Sequence, residues 1–171
     1  EVWKVAFVAL AMTGPMLTLG GLWGTPYLMS AYGMQRPQAA FLMSLMLIGW
    51  AFGAPTSGWL TDRFGHRKLF LNFGLAILCI CMGLVVFLPL PPLWVPVFLF
   101  VVAGTSGSIM TATFAHIREG NPPEFASSVT GIVNSMTVAS GAVLQPLVGL
   151  ALDFLWDGTL LDGARSYSAE E

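Results

Sequence analysis

The amino-acid sequence predicts an all-α fold, a polytopic bundle of transmembrane helices with five membrane spans. Of its 171 residues, 56% are hydrophobic and only 9% are charged, whereas a soluble domain usually carries about a quarter charged residues. The mean hydropathy of +0.75 is correspondingly high. A water-soluble chain this poor in charge could not cover its surface, so we expect an integral membrane protein.

The few charges divide the chain into long apolar stretches. A bilayer core of about 30 Å is crossed by about 20 apolar residues as a helix, and helices satisfy every backbone polar group internally. A membrane barrel would need alternating segments of about 10 residues, which the sequence lacks. The predicted spans form one membrane domain, residues 1–171, and are residues 5–30, 37–60, 68–89, 93–117 and 126–151.

Prolines mark several boundaries of these spans. The third span ends where Pro89 opens a proline-rich turn, and Asn121-Pro-Pro123 forms the turn before the fifth span. Pro96 lies in the first turn of the fourth span, where a helix tolerates proline. The chain starts without Met, and its last residues resemble the opening of another helix, so we expect a fragment of a longer protein.

The loops predict the orientation of the bundle. A cytoplasmic N-terminus gives the inner side five Lys or Arg residues and the outer side two, Arg36 and Arg165. This agrees with the excess of positive charge in cytoplasmic loops. The acidic residues Asp153, Asp157 and Asp162 then lie outside. The inner cations are Lys4, Arg63, Arg67, Lys68 and Arg118.

Small residues recur at four-residue spacing in three of the predicted helices. Such stripes let helix backbones approach closely. They predict tight packing, or packing between helices that slide or rock against each other. The stripes are Gly49, Gly53 and Ser57 in the second span, Gly104 and Ser108 in the fourth, and Gly141, Gln145 and Gly149 in the fifth.

The two cysteines do not predict a disulfide or a metal site. Cys79 and Cys81 lie ~200° apart on a helix, a geometry that suits neither kind of site. They are interpreted as packing residues. No cofactor is expected, and the sequence has no basic tract that would indicate nucleic-acid binding.

The densest group of charges is the stretch GWLTDRFGHRK, residues 58–68, between the second and third spans. Asp62 ends a helix at the membrane face, where its carboxylate can meet the positive N-terminal end of a neighbouring helix. Gly58 permits close helix approach, and Gly65 permits a tight turn. The cations of the stretch can pair with Asp62 or bind anionic headgroups. These cations are Arg63, Arg67 and Lys68.

This stretch resembles the loop motif of the major facilitator superfamily, written G-x-L-x-D-R-x-G-R/K-R/K. His66 departs slightly, at a position where that family often has a basic residue. The resemblance implies a secondary active transporter of a small solute by alternating access, with this loop as a cytoplasmic latch that closes in the outward-open state. An anchor that only fixes topology is the alternative. The residues that carry the resemblance are Gly58, Leu60, Asp62, Arg63, Gly65 and Arg67, with the basic residue Lys68 directly after them.

Two further stretches resemble particular helices of that superfamily. Residues 131–153 are similar to an eleventh helix, and residues 20–27 are similar to the end of a seventh. The resemblance therefore implies a C-terminal half, about helices seven to eleven, whose partner is the N-terminal half of the same transporter. The related repeats of such folds leave an N-terminal half as the alternative. Residues 23–27 are similar to bacterial members, which implies a bacterial cytoplasmic (inner) membrane.

Transporters of this architecture bind solutes near the bilayer midplane, so polar or aromatic residues at that depth are candidate cavity residues. Trp23 and Tyr27, four positions apart, share a helix face, although Tyr27 also suits an outer aromatic belt. Asn134 and Gln145 are about three turns apart and share a face. Their amides could instead form hydrogen bonds between helices.

Polar side chains of the fourth span complete the candidate cavity set. They are Thr105 and Ser108, although such hydroxyls can also bond their own helix backbone. His116, near the inner end, is either interfacial or proton-sensitive. Apart from Lys68, the first residue of the third span, no Asp, Glu, Lys or Arg falls inside any predicted span. Proton relays usually use such residues, so coupling to a proton or another ion, which stays open, would use a carboxylate of the missing half.

Catalysis is not expected from this sequence. An intramembrane enzyme needs a nucleophile with a base, paired aspartates or a metal cluster, and the histidines, His66 and His116, are predicted near the cytoplasmic face. A channel would need a filter motif, which is absent. A non-transporting membrane scaffold with the same fold stays open as the alternative function, and the solute stays open as well.

Overall fold

The fold is a bundle of five long helices, seen in a computed structural model that describes residues 2–88, 91–156, 160–161 and 164–165. The helices are α1 (Val2–Tyr32), α2 (Arg36–Phe64), α3 (Arg67–Phe87), α4 (Trp94–Glu119) and α5 (Ala126–Leu155). A 3₁₀ turn, Pro123–Phe125, leads into α5. Two short strands, Leu160–Leu161 and Ala164–Arg165, pair in antiparallel fashion after it. All five helices are long and apolar enough to cross a membrane, which confirms the predicted all-α membrane bundle.

Several helices run past the predicted ends of the spans, whereas α3 ends earlier. α2 stays helical through Asp62 and Arg63 and ends at Phe64, and α3 begins at Arg67, so all of the charged stretch except Gly65 and His66 is helix rather than turn. Charged side chains at a helix end can reach water while the helix backbone stays hydrogen-bonded. α3 ends at Phe87, and Pro89, the last residue of the predicted third span, lies outside the described residues.

α1 and α4 each contain one irregular turn. In α1, a π-helical turn at Leu19–Trp23 follows Pro15, a residue that has no N–H to donate to the preceding helical turn. In α4, a 3₁₀ turn at Ser108–Met110 interrupts the α-helix. Such short departures inside a helix are frequent at functional sites or under packing strain. The regular α-helical stretches on either side are Val2–Thr18, Gly24–Tyr32, Trp94–Gly107 and Thr111–Glu119.

α4 lies at the centre of the bundle. It packs against α2 and α3 and also contacts α1, while α1 and α5 form a second close pair. Fully buried large side chains come from each of the first four helices and form one core around α4. They include Met12, Met46, Leu78, Phe100 and Ile117.

Glycines allow the backbones of α2 and α4 to touch. A Cβ at Gly104 of α4 would overlap the carbonyl oxygen of Met46, and a Cβ at Gly49 of α2 would overlap the α4 backbone. At Gly53, a Cβ would lie 2.9 Å from the Cα of Thr105. The small-residue stripes of the second and fourth spans therefore lie in one interface. Membrane helices associate through such contacts because lipid supplies no hydrophobic driving force between them.

α5 is the least covered of the five helices. Only 17% of its most apolar stretch is buried in this chain, compared with 56% for α4. Its covered side faces α1, so the opposite side is available to lipid or to further protein. Large side chains exposed on α5 include Val138, Val143, Leu147, Leu150 and Phe154.

We predict that Gly104→Ala destabilises the bundle by about 1–3 kcal/mol, the usual cost of overpacking. The added methyl group would collide with the Met46 backbone, which cannot move aside as a flexible side chain can. The thermal unfolding midpoint in detergent, followed by tryptophan fluorescence, measures the effect. Gly83→Ala in α3 is the matched control, because no described atom lies within 4 Å of a Cβ there. Equal midpoints for the two variants would contradict the contact.

Candidate functional site

The charged stretch between α2 and α3 forms a tight turn around Gly65. Gly65 has a φ of 67° and donates its N–H to the carbonyl oxygen of Thr61 over 3.0 Å. This left-handed conformation closes the end of α2 and favours glycine, which lacks a Cβ to clash with the backbone. α3 begins at Arg67. Asp62 and Arg67 therefore face each other across the turn.

Arg67 contacts two carboxylates at once. Its Nη2 lies 2.8 Å from Oδ1 of Asp62 and 2.8 Å from Oε1 of Glu119, the last residue of α4. One guanidinium therefore joins the end of α2, the start of α3 and the end of α4. Asp62, Arg67 and Glu119 are named the charge triad. The end of the bundle that carries them is named the loop end.

The members of the charge triad differ in exposure. The side chain of Arg67 is only 14% exposed, whereas those of Asp62 and Glu119 are 68% and 62% exposed. The other terminal nitrogen of Arg67, Nη1, is buried and has no hydrogen-bond partner among the described residues. Exposed ion pairs contribute little to stability individually, but a buried charge without a partner is costly. The side chain of Arg67 is therefore held in place, whereas the carboxylate groups of Asp62 and Glu119 stay accessible at the surface.

Arg63 makes a different contact from Arg67. Its guanidinium carbon lies 5.9 Å from the ring centroid of Trp59, one helical turn earlier in α2. This is within the range of a cation–π interaction. The sequence analysis did not find Glu119, since nothing local links it to Asp62. Its place beside Arg118, at the predicted inner end of the fourth span, is the signal that could have found it.

Gly58 lies on an open face of α2. Apart from the backbone of its own helix, no atom in the described part of the chain would lie within 4 Å of a Cβ at Gly58, and the same is true of Gly131 in α5. The close helix approach predicted for Gly58 is therefore not made within the described residues. Both glycines leave room for the backbone of a further helix.

Two hydrogen bonds join α1 to α5, one at the end of the π-helical turn and one just before that turn. Nε1 of Trp23 donates to the carbonyl oxygen of Gln145 over 3.0 Å, and Nε2 of Gln145 donates to the carbonyl oxygen of Leu17 over 2.9 Å. A Cβ at Gly149 would lie 3.1 Å from the Trp23 ring, and a Cβ at Gly141 would lie 3.1 Å from Leu17. The small-residue stripe of the fifth span thus faces α1, and the Gln145 amide forms a bond between helices.

The polar atoms of Trp23 and Tyr27 reach different helices. The hydroxyl group of Tyr27 donates to the carbonyl oxygen of Val85 in α3 over 2.8 Å, whereas Trp23 bonds to α5. Trp23 is the last residue of the π-helical turn, where the helix departs from α geometry. Four-residue spacing therefore does not give these two side chains a common partner.

The remaining candidate cavity residues lie elsewhere. In the α2–α4 interface, Oγ1 of Thr105 donates to the carbonyl oxygens of Val101 over 2.9 Å and Gly49 over 3.3 Å. Ser108 is fully buried and donates to the carbonyl oxygen of Thr105. Asn134 is exposed on α5 and has no hydrogen-bond partner among the residues described. The structure thus does not bring the candidate cavity residues into one cluster.

Comparison with known proteins points to the same family as the loop motif. The sequence profile of the Major Facilitator Superfamily matches residues 5–161. Two curated proteins named Multidrug resistance protein B homolog, from Mycobacterium tuberculosis strains CDC 1551 / Oshkosh and ATCC 25618 / H37Rv, are 27% identical over 119 residues, or 69% of this chain. The chain spans 21% of the length of these relatives. No solved structure matches it.

We predict that Gln145→Leu destabilises the α1–α5 pair by about 0.6–1.7 kcal/mol, the range measured for hydrogen bonds between membrane helices. Leucine is similar in size but leaves the carbonyl oxygen of Leu17 without this donor. The free energy of unfolding in detergent measures the loss. Asn134→Leu on the same helix is the control, because it removes an amide that has no described partner. A similar loss in both variants would contradict a specific role of the Gln145 bond.

Proposed function

The chain belongs to the major facilitator superfamily, and from this premise we propose that it is the C-terminal half, about helices seven to eleven, of a secondary active transporter. The complete protein would move a small solute across the membrane by alternating access. The family and the five apolar helices make the chain an integral membrane protein. The gene is expected to encode about six further spans before this region and one after it, since these folds have two six-helix halves.

The observation that carries this proposal is the bridge made by Arg67. Its contacts with Asp62 and Glu119, both at 2.8 Å, tie the ends of α2, α3 and α4 together. Three helices joined at one end, with their backbones in contact through glycine, resist movement relative to one another. Alternating access by rocking needs such a rigid half.

The open side of the loop end is the surface where the N-terminal half would dock in the outward-open state. Gly58 leaves room there for a helix backbone, and the exposed oxygens of Asp62 and Glu119 can accept hydrogen bonds or meet a helix N-terminus. In the inward-open state the two halves separate at this surface while the Arg67 bridge persists. The latch residues are then Gly58, Asp62, Arg63, Gly65, Arg67 and Lys68, with Glu119 added.

The proposed orientation places the loop end in the cytoplasm, together with the N-terminus of this region. The loop-end side carries more Lys and Arg residues than the opposite side, in agreement with the positive-inside rule. The proposed location is a bacterial cytoplasmic membrane. Lipid is then a direct partner of the bundle, and the exposed large apolar side chains of α2 and α3 suit contact with acyl chains.

The proposed solute is a small organic molecule that binds between the two halves. The name of the curated relatives, multidrug resistance, supports an organic solute. Asn134 offers an exposed amide on the less covered side of α5, whereas Trp23, Tyr27 and Gln145 hold the cavity wall in shape. Thr105 and Ser108 stabilise the α2–α4 interface behind it. Any carboxylate for proton or ion coupling would come from the rest of the protein.

A non-transporting membrane scaffold is the alternative proposal. It would keep the same fold and the same helix contacts, so structure alone does not separate the two functions. Solute uptake by the complete protein in proteoliposomes separates them. An enzymatic activity is not proposed, and no group of three or more His, Cys, Asp or Glu among the described residues could hold a metal ion.

We predict that Asp62→Asn lowers the initial rate of uptake roughly tenfold, which corresponds to about 1.4 kcal/mol, while membrane insertion changes little. The substitution removes the charge of the latch but leaves its basic residues, which anchor the loop to the membrane. Uptake is compared at matched protein levels in the membrane. Equal uptake by the variant and the original protein would remove Asp62 from the mechanism.

We further predict that Glu119→Gln slows uptake less than Asp62→Asn, and that the double variant loses more than the two single losses combined. Either carboxylate alone still pairs with Arg67, whereas the loss of both leaves a largely buried guanidinium without a counterion. A double-mutant cycle of uptake rates measures the coupling. Strict additivity would show that Glu119 acts independently of the latch.

A further inference from the structure

A groove of about 610 Å³ lies between the second half of α1 and the first turns of α2. It is at the end of the bundle opposite the loop end. Its volume is within the range of small-molecule sites, which are mostly apolar with a few polar groups. The walls are apolar at Leu22, Pro26 and Met29, and the polar groups come from Thr25, Ser30 and Arg36. These features fit an amphipathic ligand.

Arg36 has no carboxylate partner among the residues that the structure describes. Arg36 is exposed, and its guanidinium makes no ion pair or hydrogen bond with the residues that the structure describes. No Asp or Glu occurs in the sequence between Glu1 and Asp62, which includes every residue that lines the groove. The hydroxyl groups of Thr25 and Ser30 likewise have no hydrogen-bond partner in the described part of the chain. The Arg36 guanidinium and these two hydroxyl groups are thus available to donate hydrogen bonds to a ligand.

The groove leads toward the seam between α1 and α5. Gly21 is the lining residue farthest along α1 from Ser30, and a Cβ on Gly21 would lie 3.2 Å from Nε2 of Gln145. From Gly21 to Ser30 the helix rises by about 13 Å. A ligand of moderate size could therefore place its charged group near Arg36 and its apolar body along α1 toward the middle of the bundle.

We propose that this groove is a recognition subsite for an amphipathic organic carboxylate, whose charged group binds Arg36 and whose apolar body lies against Leu22, Pro26 and Met29. Guanidinium and carboxylate groups pair through two parallel hydrogen bonds, and Arg is better suited to this than Lys. The subsite rests on the proposed function, since it would load solute from the outer side. A lipid phosphate offers a similar oxyanion on an apolar body, and the test below separates the two sources.

Naphthylacetate and naphthylacetamide form a suitable probe pair, because they share an aromatic body and differ in charge. Binding to the complete gene product is measured by calorimetry in dodecyl maltoside, a detergent without phosphate. We expect the carboxylate to bind at least about tenfold tighter than the amide, as charged hydrogen bonds allow. Equal binding of the two probes would overturn the proposal.

The Arg36→Gln variant should weaken naphthylacetate binding by at least about tenfold and leave naphthylacetamide unchanged. Lys4→Gln, which removes an exposed cation at the other end of α1, is the matched control and should keep the preference. Leu22→Trp fills the groove and should weaken both probes, which tests the site even if Arg36→Gln folds poorly. A preference for the carboxylate that survives in well-folded Arg36→Gln protein would overturn the proposal.

Added phosphatidylglycerol identifies the source of the anion. We expect it to leave naphthylacetate affinity unchanged, and displacement of the probe would assign Arg36 to lipid phosphate and overturn the proposal. Uptake assays on the complete protein distinguish a failure of the subsite proposal from a failure of the proposed transport function. Uptake of solutes without any preference for the carboxylate would overturn the subsite alone. Arg36-dependent binding by a protein that moves no solute would support the subsite and contradict the proposed transport function.

Discussion

The close contact between the backbones of α2 and α4 is the interaction on which the rest of the bundle depends. In a bilayer, lipid tails are as apolar as leucine, so helices must associate by shape and by hydrogen bonds. Gly49 and Gly104 provide that shape, because a Cβ at either position would overlap backbone atoms of the facing helix. This contact also brings the end of α2 close to the end of α4. Only then can Arg67 reach both Asp62 and Glu119.

The second pair, α1 and α5, is held by hydrogen bonds at an irregular turn. A π-helical turn alters the backbone pattern of α1 at Leu19–Trp23, and backbone groups inside a membrane need partners. Gln145 donates to the carbonyl oxygen of Leu17, and Trp23 donates back to the carbonyl oxygen of Gln145. Hydrogen bonds of Trp23 and Gln145 thus join α1 to α5 beside the π-helical turn. Gly21, which lines the groove beside α1, belongs to the same turn.

The sequence predicts features set by local chemistry better than features set by distant partners. The gaps between charges predict five helices, and Gly65 predicts the turn that its positive φ provides. Glu119 was missed because its partner Arg67 belongs to another helix. Trp23 and Tyr27 are four positions apart, but their polar atoms bond to different helices, α5 and α3, and spacing along one helix does not specify which helices pack beside it. Thr105 and Ser108 bond to carbonyl oxygens of their own helix, as hydroxyls often do.

Burial within the charge triad limits how the loop end can change between states. Arg67 is largely buried and paired twice, whereas Asp62 and Glu119 are mostly exposed. Breaking both pairs would leave a buried guanidinium without a counterion, which is far costlier than losing an exposed contact. A conformational change at this surface should therefore exchange only the outward contacts of the carboxylates. In the proposed alternating access, Arg67 would stay paired in both states, and the part of the proposed latch that changes would be the exposed surface of Asp62 and Glu119.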